Sequence, residues 1–249
     1  SGSRSPHRSL PSVLLPEPGI PIKIMFDVSA VGCLGVFMGQ IISLWAFACN
    51  LYQQPQVEKA CLSLQDAYNA DVPVLLLCFW AGQHSVVLSP SEWVQVHSLT
   101  ESWTVQCIRP LRHIRQVMKQ SIPDTVSTDV PNAPYSSAWQ HVRDEVKAAE
   151  LLAEQQLLEA LERMIKNDVE VYAHDHQETT DTDAINAMCM HQSVCAVKNI
   201  ATYCGLYLSH APVDSVGLHL LTDILHAVHP EITYDVALAT VKINTAVAL

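Results

Sequence analysis

LWAFACNLYQQPQVEKACLSLQDAYNADVPVLLLCFW, residues 44–80, is the stretch whose reading decides the fold. Leu44–Tyr52 is a short apolar segment closed by Gln53-Gln54-Pro55. Pro55 suits the first turn of a following helix, where its missing N–H is not needed. The spacing predicts that helix over 56–68, with Val57, Ala60, Cys61, Leu64 and Ala67 on one face. Asn69-Ala70 turns the chain. Asp71 is placed to cap a third helix, with Pro73 just inside its start and Trp80 at its end. Val74 through Trp80 is apolar on every side, so this helix is expected at the centre of the core. Gly82 is expected to end it.

The same punctuation continues downstream. Ser89-Pro90-Ser91-Glu92 is a capping box with Pro in the first turn, and the helix it opens carries Trp93 and Val96. Thr100 is expected to cap a fifth helix through Trp103 and Ile108, which Pro110 should kink or restart before it continues over 111–119. Residues 121–134, rich in Pro, Ser, Thr and Asp, read as a loop. A long helix is predicted over 137–166, with Trp139, Val142, Val146, Ala149, Ala153, Leu157 and Met164 as its stripe. Glu159 with Arg163, and Glu162 with Lys166, have the spacing of favourable helical pairs. Residues 167–181 read as a polar linker, 183–209 as a further helix, and Pro212 and Asp214 open one that ends near His229-Pro230. The Val-, Thr- and Ala-rich stretch 232–249 fits either helix or irregular structure. There is no internal repeat and no βαβ alternation. The chain is therefore expected to be all-α: an N-terminal tail over 1–40, a multi-helix bundle-like domain over 41–166, and a helical C-terminal elaboration over 182–249, packed on the core.

Composition bounds the function. Hydrophobic residues make up 49% of the chain and charged residues 16%, too apolar a balance for global disorder. Only eight glycines are present, which favours helices over a turn-rich β fold. The net charge of −11 is uneven: residues 1–119 carry +1 and residues 120–249 carry −12. Such an acidic half repels phosphate backbones, so no nucleic-acid partner is expected. Eight cysteines, none in a Cys-x-x-Cys pair, sit mostly in apolar helical runs and read as reduced, buried thiols of a cytoplasmic protein.

The N-terminus is set apart. Residues 1–22 read as a flexible tail; the chain opens Ser-Gly-Ser and its first Met is Met25, so the first 24 residues read as vector-derived or translated from upstream. Val28–Cys49 is a charge-free window long enough to span a bilayer. Gln40 and Ser43 interrupt it, Asp27 borders it and no Lys/Arg cluster flanks it, so a membrane anchor is disfavoured.

Four constellations carry chemistry worth weighing. Arg109, Arg112, Arg115 and Lys119 include three cations on one helix face, able to clamp a small acidic ligand. The competing and favoured reading pairs them with Glu145, Glu150 and Glu154 across an antiparallel hairpin. Glu150 and Glu154 lie one turn apart, but the Glu-x-x-His repeats of a di-iron bundle are missing, so a structural role is expected. His219, Asp223, His226 and His229 could share a helix face, yet no fourth zinc ligand is evident, and His174 and His176 fall in the polar linker. Gln65, Asp66 and Asp71 hem an apolar hairpin and could rim a pocket floored by Trp45, Tyr52 and Trp80; core packing is the favoured alternative. There is no phosphate-binding glycine loop and no Gly-x-Ser-x-Gly elbow.

The residues laid out form a recognisable run. Leu44-Trp45-Ala46-Phe47, Leu51-Tyr52, Pro55-Gln56-Val57, Ala60-Cys61-Leu62, Leu64-Gln65-Asp66, Ala70-Asp71-Val72, Leu75-Leu76-Leu77-Cys78 and Trp80 follow at fixed spacing. Trp103, Pro110-Leu111-Arg112, Arg115, Lys119, Val146-Lys147, Ala149-Glu150-Leu151 and Ala153-Glu154 continue it. The run, over about residues 43–165, resembles an uncharacterised proteobacterial family of short hypothetical proteins, a domain of unknown function. It departs from that family's pattern at Pro73, where Asn is usual, and residues 1–42 have no counterpart in it. The resemblance implies a helical cytoplasmic protein and no particular activity. With no catalytic, metal or cofactor motif, the sequence favours a non-enzymatic protein-binding or adaptor module with a protein partner. The alternatives are a small acidic-ligand-binding protein or enzyme, using Trp45, Tyr52, Gln65, Asp66, Trp80, Arg112, Arg115 and Lys119, and a membrane-anchored helical protein.

Overall fold

In the computed structural model, residues 42–120, 133–175, 182–208, 213–230 and 232–247 are described. The N-terminal tail, most of the Val28–Cys49 window, nearly all of the 121–134 loop and His176 lie outside them. The described residues are helical without strands, so the fold is all-α.

The second and third helices start where the sequence places Pro55 and Asp71, and the first has a cap the sequence reading did not name. Ser43 accepts from the Ala46 amide at the start of α1 (Leu44–Tyr52). Pro55 opens α2 (Pro55–Tyr68), and Asn69 ends it in the left-handed conformation at φ 54°. Asp71 caps α3 (Val72–Gln83) by accepting from the Val74 amide. Residues Val72 through Gly82 are all buried, as an all-apolar helix requires. Trp80 is wholly enclosed, and its indole N–H donates to the Ile42 carbonyl at 2.9 Å.

Gly82 does not stop α3. A Cβ at this position would stand 2.4 Å from the Cα, Cβ and N of Ala196, so the glycine is there for close helix packing. Ala196 belongs to α7 (Thr182–Tyr207), the helix with the largest interface on α3. The turn comes three residues later at Ser85, with φ 58°. Beside it, His84 packs edge-on against Trp80 at 5.0 Å and is 5% exposed.

Burial lowers the His84 imidazole from 6.5 to about 4. The unfolded chain therefore takes up a proton that the folded chain refuses. Stability held above pH 6.5 should fall as pH drops, and the loss should be complete near pH 4, at about 3 kcal/mol. Asp71 and Glu154, both raised by burial, act with the opposite sign. The check is the stability difference between the wild type and His84→Leu by urea unfolding across this window; a pH-independent difference would reject the assignment.

The capping box at Ser89–Glu92 opens α4 (Pro90–Trp103). Thr100 does not cap a new helix; its hydroxyl donates to the Val96 carbonyl within α4. The rod runs on through a single π-helical turn, Thr104–Ile108, into α5 (Arg109–Gln120). Pro110 explains the turn. A proline in a regular helix removes one amide and clashes with the carbonyl four residues back. The wider turn, in which the Arg109 amide reaches the Thr104 carbonyl, admits it without a break.

The long helix α6 spans Ala133–Asp175, nine residues into the stretch expected as a linker. Its buried stripe is Ala153, Leu157, Leu158, Leu161, Ile165 and Val169. Trp139 and Val142, expected on that stripe, are about half exposed. Glu162 and Lys166 are engaged elsewhere: Glu162 accepts from the Leu44 amide and Lys166 pairs with Glu170. Asp214 caps α8 (Ser215–Val228), which packs on α2, and α9 (Tyr234–Val247) lies on α7 and α8. Asn199 of α7, fully buried, holds the 84–89 connection: it accepts from the Leu88 amide and donates to the Val86 carbonyl, both at 2.9 Å.

The seven described cysteines are free thiols. Burial pushes Cys49 and Cys61 up to about 11 and Cys204 to about 12, which suppresses their nucleophilicity. Among the described residues, no helix is long and apolar enough to cross a membrane, and no group of three or more His, Cys, Asp or Glu is arranged to hold a metal ion.

Candidate functional site

The turn between α2 and α3 and the rod formed by α4, the π turn and α5 enclose a cleft of 170 Å³. This is smaller than a drug-sized pocket, so it suits a ligand of few non-hydrogen atoms. Asn69, Ala70, Asp71 and Pro73 form one wall; Thr100, Thr104, Arg109 and Arg112 form the other; Tyr207, from the end of α7, reaches in between. The left-handed Asn69 is what lets the chain reverse and present Asp71.

Asp71 is the centre of the polar network. One carboxylate oxygen accepts from the Val74 amide at 3.4 Å, the other from the Thr104 hydroxyl at 3.2 Å. Its backbone is fixed by the buried Tyr203, whose hydroxyl accepts from the Asp71 amide at 2.6 Å and donates to the Asp71 carbonyl at 3.2 Å. Burial raises the Asp71 carboxyl above the ordinary carboxylate range; the Val74 amide, the Thr104 hydroxyl, Arg112 and Arg109 oppose it. Tyr207 stacks on Tyr203 at 5.0 Å. Its hydroxyl is buried beside Thr100 and makes no full hydrogen bond. At the rim, His97 and Glu101 meet at 3.5 Å, both exposed.

Two arginines serve the cleft differently. Arg112 is held by α6: it donates to Glu150 at 3.1 Å and to Glu154 at 2.9 Å. Arg115 donates to the other Glu150 oxygen at 2.5 Å. Burial opposes ionisation of Glu150, but the Arg115 and Arg112 hydrogen bonds outweigh it and hold the carboxyl low. Burial dominates at Glu154 and raises its carboxyl. Arg109, one turn before Arg112, is exposed at the cleft and forms no ion pair among the described residues.

Against the residues singled out from sequence, the structure divides them. Arg112 and Arg115 come together with Glu150 and Glu154, the intramolecular pairing favoured above. Lys119 is exposed at the far end of α5. Trp80 is a core residue; Trp45 and Tyr52 are partly buried and pack on the core, with Tyr52 beside Cys61. Gln65 is half-buried and Asp66 exposed on α2. None of these α1–α3 residues lines the cleft, which uses Asp71 instead. His219 and Asp223 both engage the Tyr234 hydroxyl, and His226 meets the Ile232 carbonyl. Thr104 and Tyr207 escaped sequence reasoning, and Thr100 was read only as a helix cap. The one local signal was Pro110 inside a helical pattern, since π turns gather at functional sites.

Residues 43–161 match the model of a family described as "Protein of unknown function (DUF2390)". The expected match to a domain of unknown function is thus shown for this segment, with nothing to show a proteobacterial origin; the segment contains every cleft residue except Tyr207. No match is found among curated proteins or among solved structures.

Proposed function

We propose, for a chain whose residues 43–161 carry a domain of unknown function, that the protein binds a small carboxylate-bearing molecule in the cleft over Asp71. One juxtaposition carries this reading: an arginine without an ion pair among the described residues and a buried tyrosine hydroxyl without a full partner line the same small cavity. Buried polar groups are nearly always satisfied, so an orphan in a cleft points to something that fills it. An arginine fork is the side chain best matched to a carboxylate. In this arrangement Arg109 takes the carboxylate, and the Tyr207 and Thr100 hydroxyls take the polar end of the ligand. Asp71 sets the pH preference: its raised carboxyl repels an anion least when protonated, so binding strengthens as pH falls through its titration.

The test is calorimetric titration with a panel of short-chain mono- and dicarboxylates. Arg109→Ala should weaken binding by about tenfold or more, the scale of a hydrogen bond to a charged group, without lowering the melting temperature of the free protein. Equal affinity of wild type and R109A, or no binder in the panel, would refute the reading. The protein-binding role favoured by the sequence draws its support from a different surface, the apolar side of the α5–α6 hairpin.

A further inference from the structure

The cleft over Asp71 is polar at both ends and apolar between them. At one end stands Arg109, a cation with hydrogen-bond donors only. The middle is lined by Val105 and Ile108 from the rod and by Pro73 of the opposite wall. Thr100, Glu101 and Tyr207 make the other end, and its hydrogen-bonding capacity is one-sided. The Thr100 hydroxyl has a single proton, committed to the Val96 carbonyl at 2.7 Å, so toward the cleft its oxygen only accepts. The Thr104 proton is committed in the same way to Asp71 at 3.2 Å. The Glu101 carboxylate meets His97 at 3.5 Å on the rim, and that contact leaves acceptor positions over. Burial raises the Tyr207 phenol and keeps it protonated, and its buried oxygen lacks a full hydrogen bond.

A ligand that satisfies this cleft accepts hydrogen bonds at one end and donates them at the other. A carboxylate meets the first demand. An ammonium meets the second, since it offers three donors and no acceptor, whereas a second carboxylate would face Glu101 with like charge. Thr100 and Arg109 are nine residues apart, roughly 13 Å of helix, which the Arg109 side chain shortens by leaning back toward the helix N-terminus. Groups carried on one carbon do not bridge what remains. Groups separated by a few methylenes do, and Val105 and Ile108 supply apolar surface for them. We propose that the ligand is a short ω-amino acid, with its carboxylate on Arg109, its methylenes on Val105 and Ile108, and its ammonium on Thr100, Glu101 and Tyr207. This rests on Arg109 holding a carboxylate and adds the class of molecule that carries it.

Calorimetric titration of the full chain with butyrate, γ-aminobutyrate, α-aminobutyrate and glutarate, all at one pH, tests this. A single pH is needed because protonation of Asp71 favours a plain carboxylate, whereas its ionised form attracts an ammonium. γ-Aminobutyrate should bind about tenfold or more tighter than butyrate, the scale of hydrogen bonds to a charged group. α-Aminobutyrate, with its ammonium beside Arg109, should gain nothing. Glutarate, with a carboxylate where the ammonium belongs, should bind most weakly. Glu101→Gln should move the two ω-substituted ligands in opposite directions: γ-aminobutyrate loses about tenfold and glutarate gains. A merely structural role for Glu101 would not separate them by charge. Its side chain is 65% exposed, so the melting temperature of the free protein should be unchanged. γ-Aminobutyrate no tighter than butyrate, with R109A weakening both, overturns this assignment and leaves the carboxylate site standing. No binding by any of the four overturns both. An advantage of γ-aminobutyrate over butyrate that survives in E101Q overturns the placement of the ammonium.

Discussion

Gly82→Ala is expected to destabilise the fold by about 3 kcal/mol or more and to lower the melting temperature by about 10 °C. A methyl group at this position meets Ala196 at 2.4 Å, and two of the three atoms it meets belong to the Ala196 backbone. No rotamer change relieves such a contact; α3 and α7 must move apart along the most extensive interface between described helices. Ala196→Gly in the same chain removes only the Cβ overlap, so the double variant should recover a minor part of the loss. Thermal unfolding of wild type, single and double variants decides it. A Gly82→Ala protein as stable as the wild type would mean that the helices are not in contact here.

The second large effect is expected at Asn199→Leu. Leucine is close in volume and would pack, but it orphans the Leu88 amide and the Val86 carbonyl, both now satisfied by Asn199 in the buried core. Each orphaned group costs about 1–3 kcal/mol, so the sum is about 3 kcal/mol. Asn199→Asp separates hydrogen bonding from packing. It keeps an acceptor for Leu88 while setting an oxygen against the Val86 carbonyl, and so should fall between wild type and N199L when protonated and below both when ionised. Urea unfolding gives the stability, and hydrogen exchange at the Leu88 amide reports the bond itself. Unchanged protection at Leu88 in N199L would contradict the assignment.

Helix starts were legible because their chemistry is local. Asp71, the Ser89–Glu92 box and Asp214 each satisfy amide groups within three residues of themselves, and Pro55 at a first helical position lacks an N–H that would have gone unpaired, so a short window contains the whole cause. Gly82 was misread for the opposite reason. Its cause is Ala196, more than a hundred residues away, and a stop and a close approach look alike in one dimension. The boundary at 167 failed because polar residues continue a helix as readily as they end it, and Val169 is buried within that segment. The arginine and glutamate pairing was legible because α5 and α6 are antiparallel neighbours in the chain. The cleft was not, since its walls are Asn69–Pro73, the middle of the α4–α5 rod and Tyr207, brought together only by tertiary packing. Asp71 was visible as a cap but not as the centre of a cavity, because the Thr104 hydroxyl that completes it comes from another helix.

The π turn at Thr104–Ile108 is, in register, one residue more than a regular helix would hold. That residue resets the phase of everything after it by roughly 100°. Upstream, the rod keeps the alignment that points Thr100 at Tyr207; downstream, it adopts the one that points Arg112 at Glu150. A regular helix of this sequence would satisfy one of those neighbours and miss the other. The single extra residue therefore works as a phase shifter, letting one continuous helical run answer to both the C-terminal helix α7 and the hairpin partner α6.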